Sequence, residues 1–164
     1  NRKVLAVHWR GTDHKVLPGH PFPPTEKQIL EITDKLIANK KFNKIFLVTE
    51  EKNYLEIFKK RYGSKVCYFD SFRSNSRQDF SKNSRLNHRF RLGKESLIEV
   101  LILSKLSCLV CSRSNISEVA KFFSKKKNFK IYEIMNGFNS TSMIHSLYLW
   151  HLRKKLPIFL GGFK

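Results

Sequence analysis

Three polar clusters carry the residue types that chemistry needs, and each follows an apolar run. His8, Arg10, Thr12 and Asp13 come after Lys3-Val4-Leu5-Ala6-Val7. Thr49, Glu50 and Glu51 come after Ile45-Phe46-Leu47-Val48, and Ser112, Arg113, Ser114 and Asn115 after Cys108-Leu109-Val110-Cys111. Runs of this kind read as buried strands, and ligands of open α/β sheets bind outside the carboxyl ends of the strands. The three clusters therefore share one rim, a binding cleft by geometry. An arginine at such a rim grips a phosphate through a planar, always-charged fork. Arg10 is thus the side chain that the rest supports; its structural alternative is an ion pair with Asp13 or Glu50. Ser112, Ser114 and Asn115 open a helical pattern, where backbone N–H groups meet phosphate oxygens. They read equally as caps, Asn115 pairing with Glu118.

Other chemistries lack residues. GxGxxG and GxxxxGK[ST] are both absent, which removes the dinucleotide and P-loop readings. No HExxH or paired Cys/His spacing suggests a metal. Cys108 and Cys111 have CxxC spacing, but within a strand i and i+3 point to opposite faces, so they read as core thiols in a reduced, cytoplasmic setting.

The elements that position the clusters alternate. Strand 3–9 leads into a proline-rich loop from Gly11 to Pro24 that excludes helix. Thr25 and Gln28 make a capping box for a helix to about Lys40. Strand 45–48 precedes a helix over 52–61 closed by Gly63, and strand 65–69 follows. The pattern breaks between Asp70 and Gly93, where Arg73, Arg77, Lys82, Arg85, Arg89 and Arg91 stand among Phe72, Phe80 and Phe90. That stretch reads as a solvated basic loop or as a stacking platform for single-stranded nucleic acid. A helix over 94–106 is apolar nearly all round and expected to be well buried. Strand 108–111, a helix to about Ser124, strand 129–134 and a helix over 143–156 complete the chain. Strands and helices in this rhythm predict an α/β fold, a Rossmann-like parallel sheet flanked by helices.

The 164 residues, 41% hydrophobic and 27% charged, fit one globular domain over 1–164. Thirty-two Lys+Arg against 13 Asp+Glu leave a net charge of +19, a field that favours nucleic acid, an anionic membrane surface or phosphorylated ligands. No run approaches the roughly 20 apolar residues of a membrane span. The chain opens at Asn1 without a methionine and reads as a piece of a longer protein.

His8-Trp9-Arg10-Gly11-Thr12-Asp13 resembles the HxRxTD signature of the fucosyltransferases that include the nodulation-factor, core α-1,6- and protein O-fucosyltransferases. Ile45–Glu51, Leu97–Ser104 and Leu109–Asn115 are similar to later family segments in the same order, so the resemblance covers about residues 3–124. It implies the nucleotide-sugar-binding half of a GT-B glycosyltransferase, a bacterial member that moves fucose from GDP-fucose to a glycan acceptor with inversion. No metal or other cofactor is implied. A missing N-terminal half would hold the acceptor. In that role Arg10 neutralises the leaving GDP, His8 lies under base or ribose, and Glu99 accepts the guanine N1–H and 2-amino hydrogens. Thr12, Asp13, Thr49, Glu50, Glu51, Ser112, Ser114 and Asn115 complete the donor site. The chain departs from the pattern at Gly11, where the signature has a second arginine-type position. It also lacks the acidic group expected soon after Asp13, so the base is open, with His14 and His20 as candidates and the missing N-terminal half as another source. The basic 73–94 loop and Arg153-Lys154-Lys155 are expected to rest on the inner face of an anionic membrane. The alternative function is a nucleic-acid-binding module built on the 72–91 loop.

Overall fold

The computed structural model describes residues 3–40, 42–82, 84–125 and 128–163. Its frame is a five-stranded, all-parallel sheet in the order β3-β2-β1-β4-β5, formed by β1 (Val4–His8), β2 (Lys44–Val48), β3 (Val66–Cys67), β4 (Cys108–Cys111) and β5 (Lys130–Glu133). Among the described residues five α-helices flank it: α1 (Glu26–Lys40), α2 (Lys52–Tyr62), α3 (His88–Lys105), α4 (Asn115–Phe123) and α5 (Met143–Arg153). The expected Rossmann-like α/β architecture is therefore the observed one. Sequence order reverses between β1 and β4, and this is the switch point where a crevice opens beyond the strand ends.

Strand alternation decides which side chains face which layer. Leu5, Val7 and Trp9 enter one core with Ile29 and Leu36 of α1 and with Tyr54, Leu55 and Phe58 of α2. Ala6 enters the opposite core with Val100 and Leu103 of α3 and Ala120 of α4. Cys108 and Cys111 fall into opposite cores and are free thiols, as the strand reading of CxxC requires. The Thr25 capping box forms: its N–H donates to Gln28 Oε1 at 2.9 Å, and the Gln28 N–H donates to Thr25 Oγ1 at 3.3 Å.

Several elements differ from expectation. The loop after β1 is not wholly irregular: Thr12–Lys15 is one 3₁₀ turn, completed before the prolines begin. β3 keeps only two of its five expected residues, because beyond Cys67 the chain leaves the sheet and Arg73 takes the carbonyls of Phe69 and Ser71 at 2.7 and 3.0 Å. α3 starts at His88, six residues before the expected Lys94, and runs through Gly93; an interior glycine costs a helix only about 1 kcal/mol. Nor is that helix buried all round, since Leu97 and Leu101 are exposed. α5 ends at Arg153 instead of Leu156. Among the described residues no helix is long and apolar enough to cross a membrane.

Candidate functional site

Trp9 anchors the rim. Its ring stacks on Tyr54 at 3.6 Å between centroids, and its indole N–H donates to the Pro24 carbonyl at 3.1 Å. With Trp9 pinned to the α1/α2 side, its neighbours His8 and Arg10 point the other way, into the switch-point crevice. Three hollows meet there at Arg10. The first, about 230 Å³, is lined by His8, Thr49, Glu50, Ser71, Phe72, Phe80, Glu95, Ser96 and Glu99 as well as Arg10. The second carries Thr12, Asp13, Arg77 and Arg89, and the third His14, His20, Arg113, Ser114 and Asn115.

Arg10 is already engaged. Asp13 takes its Nη2 at 2.9 Å and its Nε at 3.3 Å, and Glu50 lies 3.8 Å from Nε. The ion pair expected as a structural role is therefore present, at a position that also opens onto all three hollows. Burial works against the guanidinium charge, but Glu50 and Asp13 together raise its pKa. Burial also raises the pKa of Glu50. Thr12 donates its hydroxyl to Glu50 at 2.6 Å, which extends the Asp13–Arg10–Glu50 contacts along the rim.

Glu51 does not join it. Its carboxylate turns beneath the Thr12–Lys15 turn, accepting the Thr12 N–H and pairing with Lys15 at 2.7 Å, and it lines none of the three hollows. There it braces the turn. Gly11 explains why: a side chain there would overlap the Glu51 carboxylate and the Tyr54 ring. An arginine at the signature's second position has no room. Ser112 likewise lies outside the hollows, buried behind the strand end.

The α4 cap is Ser114, not Asn115. Ser114 Oγ accepts the Ser117 N–H at 3.1 Å, and Ser117 Oγ accepts the Ser114 N–H at 2.9 Å. Ser114 Oγ also lies 3.3 Å from His8 Nδ1, so the α4 cap is tied to the end of β1 across the switch point. Burial, then the charges of Arg10 and His14, push the His8 pKa down to about 3, so its imidazole is neutral. His14 is pushed down to about 4 by burial and Arg10, and its ring stands 4.9 Å from that of His20.

Glu99 is the buried acid of the first cavity. Ser71 donates to its Oε1 at 2.7 Å, and Arg73 Nη2 lies 3.6 Å away. Burial nevertheless raises its pKa to about 7. Much of this cavity was not legible beforehand. Leu92, Glu95, Ser96 and Glu99 line it at i, i+3, i+4 and i+7 of α3. That helical signal is interrupted by reading Gly93 as a boundary. Phe72 and Phe80 line it as well, packed edge-to-face at 5.3 Å, and Phe72 packs the same way on His88 at 4.8 Å. Arg85 holds Glu95 at 2.6 and 2.7 Å, so the basic loop is folded onto carboxylates at Arg73 and Arg85 and exposed at Arg77 and Arg89. Asn83 lies outside the described residues. Arg153, expected at a membrane, is held over the rings of Phe22 and Phe163 at 5.2 and 5.1 Å. Among the described residues no group of three His, Cys, Asp or Glu converges as a metal site. No protein-family model matches the chain, and a search of curated proteins returned no match.

Proposed function

We propose that the chain is the nucleotide-sugar-binding half of a GT-B glycosyltransferase that uses GDP-fucose and inverts the sugar it moves to a glycan acceptor. One observation carries this reading: Arg10 stands in the switch-point crevice where a cavity holding Glu99 meets the capped N-terminus of α4. In the resemblance to HxRxTD fucosyltransferases these are the groups assigned to diphosphate and guanine. A purine base suits the first cavity in polarity, with Phe72, Phe80 and Ile116 apolar on its walls and Glu99 as acceptor.

The chemistry follows from charge. As the bond from sugar to diphosphate breaks, negative charge grows on the leaving phosphate, and a fixed guanidinium stabilises it more in the transition state than in the ground state. Arg10 exchanges or shares its Asp13 contact when phosphate arrives; the carboxylates keep it pointed at the rim until then. The acceptor hydroxyl loses its proton to a group near the third hollow. His14 and His20, with rings 4.9 Å apart, line that hollow and are the candidate bases.

Thermal melting with and without GDP tests the reading. At a GDP concentration about 100 times Kd, binding adds about 2.7 kcal/mol, or about 5–10 °C in Tm for a domain of this size. Arg10→Ala is expected to remove most of that shift. An unshifted wild-type Tm with GDP, together with a steeply salt-dependent oligonucleotide shift, favours the basic nucleic-acid module instead.

A further inference from the structure

We propose that Arg73 is a positioning residue that keeps the Glu99 carboxylate ionised, and so makes the first cavity accept guanine in preference to adenine. The inference rests on the nucleotide reading of that cavity. Arg73 is buried and is not among the residues that line the cavity, so it acts only through Glu99. Its guanidinium cannot swing away. Nη2 donates to the Phe69 carbonyl at 2.7 Å, Nη1 to the Ser71 carbonyl at 3.0 Å, and the Tyr68 ring covers it at 5.2 Å. Nη2 then lies 3.6 Å from Glu99 Oε1.

The surrounding charges leave this task to Arg73. Glu95, one turn earlier on α3, and Glu50, at the end of β2, both oppose ionisation of Glu99. The Arg85 fork is already bound to both oxygens of Glu95. Ser71 favours the carboxylate by donating its hydroxyl, but it is neutral. Among the described residues, Arg73 is therefore the cation within ion-pair distance of Glu99. Burial lowers the Arg73 pKa, and the charges of Glu99, Asp70 and Glu95 oppose that.

Protonation decides what Glu99 can pair with. An ionised carboxylate only accepts, which matches the adjacent N1–H and 2-amino donors of guanine. A protonated carboxyl donates from one oxygen and accepts at the other, which matches N1 and the 6-amino group of adenine. The group is balanced near neutrality, so the Arg73 charge tips a choice between two bases and does more than add affinity.

The test is calorimetric titration of the whole chain with GDP and with ADP from about pH 6 to about pH 8.5. Wild type, Arg73→Met, Arg73→Lys and Glu99→Gln are compared. In wild type, GDP affinity falls as pH drops through about 7, where Glu99 takes up its proton. Arg73→Met is expected to move that fall upward by about one pH unit. The ionised fraction at pH 7 then drops from about one half to about one tenth, GDP binding weakens about five-fold, and the GDP:ADP preference falls by at least as much. Arg73→Lys, which keeps the charge without the fork, places the profile between the two and serves if the methionine variant does not fold. Glu99→Gln loses the pH dependence. GDP binding with the same profile in wild type and in the folded Arg73 variants overturns this inference alone. Absence of GDP binding by wild type overturns the nucleotide reading and the inference together.

Discussion

Glu99→Gln has a consequence for folding that needs no ligand. In the unfolded chain a glutamate titrates near 4.5, whereas burial in the cavity raises the folded value to about 7. The folded state therefore holds a proton that the unfolded state releases, so between these values wild-type stability falls as pH rises. From about pH 5 to about pH 8 the loss is about 2.5 kcal/mol, taking about 1.4 kcal/mol for each tenfold change in proton affinity. Glutamine does not titrate. The stability difference between wild type and Glu99→Gln should move by that amount over the range, with the variant gaining at high pH. Other groups cancel in this difference, including His8 and His14, which burial pushes down to about 3 and about 4 and which drive stability the opposite way. Urea is the proper denaturant, because guanidinium salt screens the charges at issue. A difference that stays flat within about 0.5 kcal/mol from pH 5 to pH 8 would show that Glu99 is not held in a desolvated site, and the guanine contact would lose its basis.

Three further substitutions probe the scaffold. Gly11→Ala drives a methyl into the Glu51 carboxylate and the Tyr54 ring, so it should destabilise by about 1–3 kcal/mol in urea melts. Gly93→Ala, with nothing within 4 Å of the added methyl and helix on both sides, should stabilise by about 0.5–1 kcal/mol. Ser114→Ala removes the α4 cap and the hydroxyl beside His8, at a cost of about 0.5–2 kcal/mol seen as a lower Tm. An unchanged Tm would mean that the cap contributes little to stability.

The strands of the sheet's centre were readable because burial on both faces demands continuous apolar runs. β1, β2 and β4 lie within one residue of their expected ends, and so does β5 at the sheet's edge. Edge strand β3 was overread, since an apolar run does not say where pairing stops. In α3 the glycine looked like a boundary. The tertiary contacts of Arg85 with Glu95 and of Phe72 with His88 instead carry the helix back to His88.

By itself the chain determined an alternating α/β order, a parallel sheet and the placing of His8, Arg10 and Ser114 at strand ends, because these follow from local periodicity and strand alternation. Only the tertiary structure decided which acids face the crevice and which brace it. Glu50 and Glu51 are adjacent and equally acidic, yet one lines the cavity and the other sits under a turn 36 residues away in sequence from its lysine partner. The close approach at Gly11 and the hold of Arg73 on Glu99 have the same origin. Both are meetings between segments distant along the chain, and packing sets them where no local pattern reaches.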